Sequence, residues 1–578
     1  MKEETKNCQN CKKDFTIEPD DFAFYEKIKV PPPTFCFECR LQRKMARRNE
    51  RSLYKRKCDL CHLDIIAMYQ SETPFPVYCP KCWWGDGWDP EEYGKNYDFT
   101  KSFFHQWNEL AKNVPRISLY QKNPVNSPFS NHSDNIKNSY LAFNSGLSEY
   151  LFYSNWIINS KELIDCYATF ESELCYEMDN NKKCSRCSFL YVGKNNIDSS
   201  YLYDCNNCMN CFLSSNLRNK KLYFMNKQFS KEEYEEKIKE FSGSFIGRQK
   251  AEEIFYNDIM PKTLRKYMIC GKQKNSSGDY IFGGSKNLKK CFRIYKASED
   301  SAYSVDCADI KDCYDAYESA FNCEQQYDCH AGNRLSFSKF SSVSYDDHDI
   351  EYCEMCHDSE YLFGCISMIK KKYCILNKQY SKDDYFDILN KIKEQMSKIV
   401  YTDKKGLEYK YGEFFPIEFS PFCYNETVAQ EYFPITKEKA DKNGYKWKEK
   451  SNRNYKIDLT TKDLPDNIKD TNESIIDKVI ECAHHGENDH KNSNCDDVCT
   501  EVFKIVADEF LFYKKMNLAI PRFCPNCRHY IRQKIRNPMK LWHRKCMKEG
   551  CDNEFETPYA PERPEIVYCE SCYQKEVY

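Results

Sequence analysis

Eight cysteines near the start of the chain fall into four pairs: Cys8/Cys11, Cys36/Cys39, Cys58/Cys61 and Cys79/Cys82. Two intervening residues let both thiolates of a pair turn inward onto one ion, and two such pairs complete a tetrahedral four-cysteine zinc site. The pattern returns at the other end. Adding 488 carries Cys11 to Cys499, Cys36 to Cys524, Cys39 to Cys527 and Cys58 to Cys546, along with Phe15 to Phe503, Phe22 to Phe510, Tyr25 to Tyr513 and Arg48 to Arg536. After a two-residue insertion, Cys61, Cys79 and Cys82 match Cys551, Cys569 and Cys572. The second set therefore reads Cys495, Cys499, Cys524 and Cys527, then Cys546, Cys551, Cys569 and Cys572. Cys495 and Cys499 are one residue too far apart for the pattern, so Cys482 and His490 remain alternatives opposite Cys499. Cysteines fill every site and leave no open position for a water, so about four structural Zn²⁺ ions are expected.

The elements that must hold these thiols can be read around them. Phe15-Thr-Ile alternates like a strand, residues 20–27 suit a short helix with Phe22 and Tyr25 on one face, and Pro31-Pro-Pro forces extended chain into Cys36. A polar helix over roughly 40–54 follows. Phe24-Tyr25, Pro33 and Cys36-Phe-Glu-Cys39-Arg40 resemble the treble-clef zinc-ribbon family over about 35 residues per copy. Its members are largely uncharacterised, so the resemblance implies a fold and a metal and no particular activity. Cys58/Cys61 with Cys79/Cys82, and Ile65-Ile66 and Val77-Tyr78 as hairpin strands, read as a plain zinc ribbon.

Nine of the eighteen residues 40–57 are Arg or Lys, opposed only by Glu50, and seven of the eighteen residues 528–545 are Arg or Lys with no acid. Phosphate binding is one explanation, because Lys and Arg displace counterions condensed on a nucleic acid. On that reading Arg40, Arg43, Lys44, Arg47, Arg48, Arg51 and Arg56, with Arg528, Arg532, Lys534, Arg536 and Arg544, contact nucleic acid, RNA in preference, or a ribonucleoprotein. The alternative is charge compensation: a zinc ion with four thiolates carries about −2, and acidic faces of the protein itself are also targets.

The middle of the chain is duplicated too. Ser133-Asp-Asn-Ile-Lys-Asn-Ser-Tyr140 recurs as Ser285-Lys-Asn-Leu-Lys-Lys-Cys-Phe292, and Asn226-Lys-Gln-Phe-Ser-Lys-Glu-Glu-Tyr234 as Asn377-Lys-Gln-Tyr-Ser-Lys-Asp-Asp-Tyr385. Each copy ends in a polar helix with Ser230 or Ser381 as N-cap. Short apolar runs return about every 11–14 residues, as in Tyr150-Leu-Phe-Tyr and Tyr201-Leu-Tyr. Repetition of one small unit suggests a parallel β-solenoid with two strands per coil and coils of about 23 residues. An antiparallel sandwich is the alternative, disfavoured by the lack of Asn-Gly or Asp-Gly hairpin turns. Cys184/Cys187 and Cys205/Cys208 have the spacing of a further metal site, but the second copy lacks a matching set, which favours small buried residues stacked in a ladder.

The expected order is a tandem zinc-ribbon module (1–95), an amphipathic helix and connector (96–125), solenoid block one (126–258), a connector (259–277), block two (278–400), an aromatic cap over the open end (401–445), a polar linker (446–480) and the second ribbon module (481–578). The fold class is mainly β and multidomain. Net charge is −2 over 578 residues. No run of about 18 apolar residues implies a membrane span. Thirty-five cysteines behind a polar start imply a reducing, intracellular compartment, the cytoplasm or a virion if the source is viral. No P-loop, H-E-x-x-H, G-x-S-x-G or dinucleotide fingerprint occurs, so no enzymatic activity is expected. Two functions remain: a zinc-stabilised scaffold that binds nucleic acid through its basic segments, or a structural scaffold that contacts other proteins through the solenoid.

Overall fold

The computed structural model describes residues 2–306, 314, 317–320, 327, 330–450, 454–486 and 498–578. From Ala142 onward every third side chain points inward and is buried. Ser145, Ser148, Leu151, Ser154 and Ile157 continue the series, and Leu202, Cys205, Cys208 and Cys211 extend it. Between them the backbone turns left-handed at a fixed interval, at Asn138 (φ 51°), Leu141 (51°), Asn144 (48°) and Leu147 (50°). Asn adopts this region more readily than most residues, and Asn and Asp recur at these corners. Four triplets return the chain over itself: Asn155 pairs in parallel with Tyr167, Tyr167 with Asp179, and Asp179 with Tyr191.

Strands Glu173–Tyr176, Lys161–Ile164, Gly146–Phe152, Asn155–Ile158, Tyr167–Phe170, Asp179–Lys182 and Ser185–Lys194 pair in that order, and the last pairs back to the first. By pairing these seven strands close into a parallel ring, because Gly146–Phe152 and Ser185–Lys194 each run round a corner; every pairing joins residues twelve apart, so a circuit of twelve residues replaces the expected two-strand solenoid coil of about 23. The spacing of 11–14 residues read from the sequence is the distance between stacked partners, because the inward period is three and not the two of a flat strand.

Much of the interior is apolar, and the hydroxyls and thiols among it are met by the backbone. The Ser145 hydroxyl donates to the Phe143 carbonyl at 2.7 Å and accepts the Ile157 N–H at 3.1 Å. Ser148 and Ser154 repeat the arrangement with Gly146 and Ser160, and with Phe152 and Cys166. The Cys175 thiol donates to the Glu173 carbonyl at 3.3 Å in the same way. Cys184, Cys187, Cys205 and Cys208 occupy inward positions of this ladder. Among the described residues they form no metal-holding cluster.

A second stack repeats the plan. His348 pairs with Glu360 and Glu360 with Lys372, around buried Ile350, Cys353, Cys356, Leu362 and Cys365. Each stack ends alike: Lys227–Gln228 folds back antiparallel on Lys221–Phe224, and Lys378–Gln379 on Lys372–Ile375. Helices Lys231–Lys239 and Lys382–Lys398 follow, capped by the Ser230 and Ser381 hydroxyls, which accept the Glu233 and Asp384 N–H at 3.2 Å.

Three connecting elements differ from expectation. The polar helix spans Phe37–Met45 and stops short of residue 54, because strand Tyr54–Lys57 pairs with Asp64–Ala67 in the ribbon. The aromatic stretch does not cap an open stack. Its helix Val428–Tyr432 lies between the two terminal modules, with the Val428 N–H on the Arg48 carbonyl at 3.0 Å and Glu431 3.1 Å from His529. The polar stretch after residue 446 is packed: Leu464, Ile468 and Ile475 are buried, and Arg522 donates to the Pro465 carbonyl at 2.9 Å.

Leu190 is fully buried inside the first stack. Leu190→Ala should destabilise the protein by about 2–5 kcal/mol, read by chemical denaturation. Arg186→Ala, which breaks a half-exposed ion pair with Asp198 one circuit on, should change stability by no more than about 1 kcal/mol. Equal effects would show that the inward period is misassigned.

Candidate metal centres

Four clusters bring four thiol sulfurs each within 4.8 Å of one another: Cys8, Cys11, Cys36 and Cys39; Cys58, Cys61, Cys79 and Cys82; Cys482, Cys499, Cys524 and Cys527; and Cys546, Cys551, Cys569 and Cys572. Sulfur separations are 3.8 Å for Cys11–Cys36 and 3.9 Å for Cys61–Cys79, Cys482–Cys527 and Cys551–Cys569. A tetrahedron with metal–sulfur bonds near 2.3 Å has edges of about 3.8 Å, so the donor sets fit such an ion, and they are far too open for disulfides.

The local chain explains the geometry. In each cluster the first cysteine follows a β-strand or its turn, and the third caps a helix. The cap cysteine's N–H points at the first sulfur: Cys36 to Cys8 at 3.3 Å, Cys79 to Cys58 at 3.2 Å, Cys524 to Cys482 at 3.2 Å and Cys569 to Cys546 at 3.3 Å. Such bonds favour the thiolate that a metal requires. Side chains add to the outer layer. Asn10 donates to the Cys39 sulfur at 3.3 Å, and His484 Nδ1 lies 3.5 Å from the Cys527 sulfur.

The third cluster corrects the sequence reading. Its first ligand position is held by Cys482, raised above as an alternative, while Cys495 and His490 lie outside the described residues. Backbone bonds show why Cys482 corresponds to Cys8. Cys8 N–H donates to the Lys13 carbonyl at 2.9 Å and Gln9 N–H to the Thr34 carbonyl at 3.1 Å; Cys482 N–H donates to the Glu501 carbonyl at 2.8 Å and Ala483 N–H to the Arg522 carbonyl at 2.9 Å. Lys13 and Thr34 are the partners of Glu501 and Arg522 under the 488-residue shift. The second knuckle therefore carries a long insertion between its two cysteines. The apolar Val479-Ile480 before Cys482 was the available signal.

Most arginines of the basic segments are placed inward, whereas Lys55, Lys57, Lys534, Lys540 and Lys545 are exposed. Arg40, Arg43, Lys44, Arg47 and Arg48 are buried, as are Arg528 and Arg532. Arg528 Nε and Arg532 Nη1 lie 2.7 and 3.1 Å from the fully buried Asp165 carboxylate of the first stack. Arg536 Nε lies 2.6 Å from Asp179. Arg47 Nη2 of the amino-terminal module and Arg116 Nη2 of the connector after it lie 2.6 and 2.9 Å from Glu354 of the second stack. Arg48 pairs with Glu50 at 2.7 Å, and Arg43 with Glu413 at 3.5 Å. Arg43 and Arg51 sit over the rings of Phe35 and Phe143 at 4.4 and 5.1 Å. Arg56 pairs with Asp59 inside its own ribbon at 2.8 Å, and Arg544 bonds the Ala560 carbonyl at 3.3 Å. Of the twelve cations assigned to nucleic acid from sequence, Lys534 alone is classed as exposed. Burial lowers the Arg47 pKa, which Glu354 partly restores. For Arg528 burial acts the same way, and Asp165 reverses it, holding the pKa well above its ordinary value.

The same contact is built twice, with the modules exchanged. Arg40 donates to the Phe35 carbonyl as Arg528 does to Phe523, at 2.6 and 2.9 Å. Tyr303 of the second stack donates to Asp21 of the amino-terminal module at 3.1 Å, and Tyr153 of the first stack donates to Glu509 of the carboxy-terminal module at 2.9 Å. Burial pushes the Glu509 pKa up to about 7. Through these contacts each terminal module grips the stack that is farther from it in sequence, while Glu50 and Arg51 of the amino-terminal module also reach Asn155 and Phe143 of the first stack.

No family model matches the chain, and no curated protein matches it. Among solved structures, a candidate acetyltransferase from Desulfovibrio desulfuricans G20 is similar over 42% of this chain and 65% of that one, at 7% identity and a TM-score of 0.11. That likeness carries no argument about fold or function. No helix of the described residues is long and apolar enough to cross a membrane.

Purified protein should carry four equivalents of metal, one per cluster. Cys482→Ser should lower this to three by elemental analysis, and Cys495→Ser should leave four. Cys11 and Cys61 are exposed whereas Cys482, Cys524 and Cys527 are fully buried, so a chelator should strip the first two sites before the third.

Proposed function

We propose that the protein is a zinc-stabilised structural scaffold whose terminal modules lock two parallel-strand stacks together, and that its partners are proteins, not nucleic acids. The observation that carries this reading is the pair of buried arginines on one buried carboxylate, Arg528 and Arg532 on Asp165. A cation used to bind phosphate must reach solvent and release counterions; these cannot. Zinc is the ion that best suits four thiolates in a tetrahedron with no open position, and such sites supply folding free energy directly. With every site closed, the metals support structure and no catalytic step is assigned to them.

Two measurements test the reading. Filter binding of single- and double-stranded RNA and DNA across a salt series should show no salt-dependent affinity; a log–log slope near −0.7 to −0.9 per phosphate contact would overturn it. Asp165→Ala strands two buried guanidiniums and should destabilise the protein by about 3–5 kcal/mol, with earlier proteolysis of the carboxy-terminal module and metal content still at four. Stability within about 1 kcal/mol of the parent would show that the modules are not held by these pairs.

A further inference from the structure

Both stacks end on the same fold-back turn, and the chain covers one of the two. A shift of 151 carries Met225-Asn226-Lys227 onto Leu376-Asn377-Lys378. Asn226 and Asn377 share the left-handed backbone, with φ of 60° and 62°. Each side-chain oxygen accepts an N–H from the preceding circuit, Ser215 at 2.8 Å and Ile366 at 2.7 Å. On the second stack the chain lays its own segment, residues 89–96, across this turn. Asn377 Nδ2 donates to the Pro90 carbonyl at 3.0 Å, Lys378 bonds Asn96, and Lys371 Nζ lies 2.6 Å from Glu91 and 3.7 Å from Asp89. The short 3-10 helix Pro90–Tyr93 shapes this strap. Gly94 is required in it, because a Cβ there would fall 2.6 Å from the Asn377 carbonyl oxygen.

The first stack has no such strap among the described residues. Met225, Asn226 and Lys227 bond only within their own stack. Asn377 is fully buried and Leu376 is 3% exposed, whereas Asn226 is exposed and Met225 is 36% exposed. The cations are kept. Lys220 and Lys227 stand where Lys371 and Lys378 stand; both are exposed and have no acidic partner among the described residues. Lys220 lies instead over the Tyr223 ring at 5.7 Å. The last two circuits offer no acid, since residues 205–231 contain no Asp or Glu. On the circuits before, Asp198 and Asp204 are held by Arg186 and Arg218. In the helix that follows, Glu233 accepts the Ser230 N–H, and Glu235 and Glu236 face Lys231 and Lys239 at 3.8 and 3.7 Å. Glu232 is left against Lys220, Lys221 and Lys227, so the balance around the turn is positive.

We propose that the turn Met225-Asn226-Lys227 docks an acidic, proline-led segment of a partner protein, built like the strap over residues 89–96. A carbonyl of that segment accepts from Asn226 Nδ2, its carboxylates meet Lys220, a side-chain amide meets Lys227, and a glycine passes close to the Asn226 carbonyl. The internal duplication specifies the occupant: the same turn, with the same asparagine and lysines, holds such a segment on the second stack. The proposal rests on the reading that the partners are proteins, and it gives them one face and one kind of segment.

The probe is a fluorescein-labelled peptide with the sequence of residues 86–98, titrated with metal-loaded full-length protein and read by fluorescence anisotropy. Saturable binding is expected. Lys220→Glu should weaken it about tenfold, because an attraction becomes a repulsion. Asn226→Asp keeps the acceptor for the Ser215 N–H but loses the donor, and should act in the same direction. A peptide with valine at the position of Gly94 should not bind, and neither should one with lysine at the positions of Asp89, Glu91 and Glu92. Metal content and thermal unfolding of Lys220→Glu should match the parent. Any of five results would overturn the proposal: no saturable binding, equal binding of either altered peptide, indifference to both protein variants, displacement of the peptide by a single-stranded RNA oligonucleotide, or a dimer in sedimentation velocity that Lys220→Glu dissociates, which would give this face to a second copy of the chain. Failure of the peptide to bind would leave the nucleic-acid filter binding and the Asp165→Ala result unaffected.

Discussion

A carboxylate buried in a strand stack and shared by two arginines from outside it is the contact on which the assembly turns. Taking charges out of water costs several kcal/mol per ion, and mutual attraction recovers this only with close geometry. At Asp165 the geometry is close, with two guanidiniums at 2.7 and 3.1 Å. At Glu354 it is again close, at 2.6 and 2.9 Å. A pair of this kind contributes less to net stability than to register. Any sliding of a terminal module along a stack would strand a charge, whereas an apolar contact would tolerate it. Arg528 and Arg532 lie on helix Pro525–Gln533 and Arg47 just beyond helix Phe37–Met45, and both helices are in turn held by the cysteines at their first turns. Metal site and ion pair therefore act in series.

The stacks meet this contact with a surface that repeats every twelve residues, as the pairing of Lys161 with Glu173 and Glu173 with Ser185 shows. Leu, Ile and Met fill part of the narrow interior, and hydroxyls and thiols can enter beside them because the ladder itself satisfies them. A carbonyl two residues back accepts from the hydroxyl, and an N–H one circuit on donates to it, as at Ser154. This accounts for the many cysteines in the middle of the chain without a metal. Outside, tyrosines take the place of a conventional core. Tyr153 and Tyr303 bury their rings against the terminal modules and direct their hydroxyls to Glu509 and Asp21.

Exchange of the modules gives the molecule an internal pseudo-symmetry. The equivalent tyrosine–carboxylate contacts set the amino-terminal module on the later stack and the carboxy-terminal module on the earlier one, and each module also touches the other stack, through Glu50 on Asn155 and Asn537 on Asp279. Helix Val428–Tyr432 fills the space between them, joined to one module through Val428 and Arg48 and to the other through Glu431 and His529. Burial, reinforced by Arg51, Arg536 and Arg532, pushes the His529 pKa well below its ordinary range, and the Gln533 amide lies beside both His529 Nε2 and the Glu431 carboxylate. The two copies are not identical. The insertion after Cys482 lengthens one knuckle, and Lys13 of the first copy is Glu501 in the second.

Much of this protein is local and could be read from its residues. Cysteine spacing identified three of the four donor sets in full, because a knuckle brings its two thiols together within a few residues. The 488-residue shift revealed the duplicated ends, and Ser230 and Ser381 marked the helices that close the stacks. The rest depends on contacts between residues hundreds of positions apart. Nothing near Arg528 indicates that its partner is Asp165, so a dense run of arginines read as a phosphate-binding face when it is an interface within the chain. Cys482 was hidden by an insertion whose ends are joined only through the backbone bonds to Glu501 and Arg522. The repeat length was legible, but its meaning was not. A spacing near twelve residues fits half of a wide coil or the whole of a narrow one, and only the left-handed corner at every third residue decides between them, by folding four short sides into one circuit.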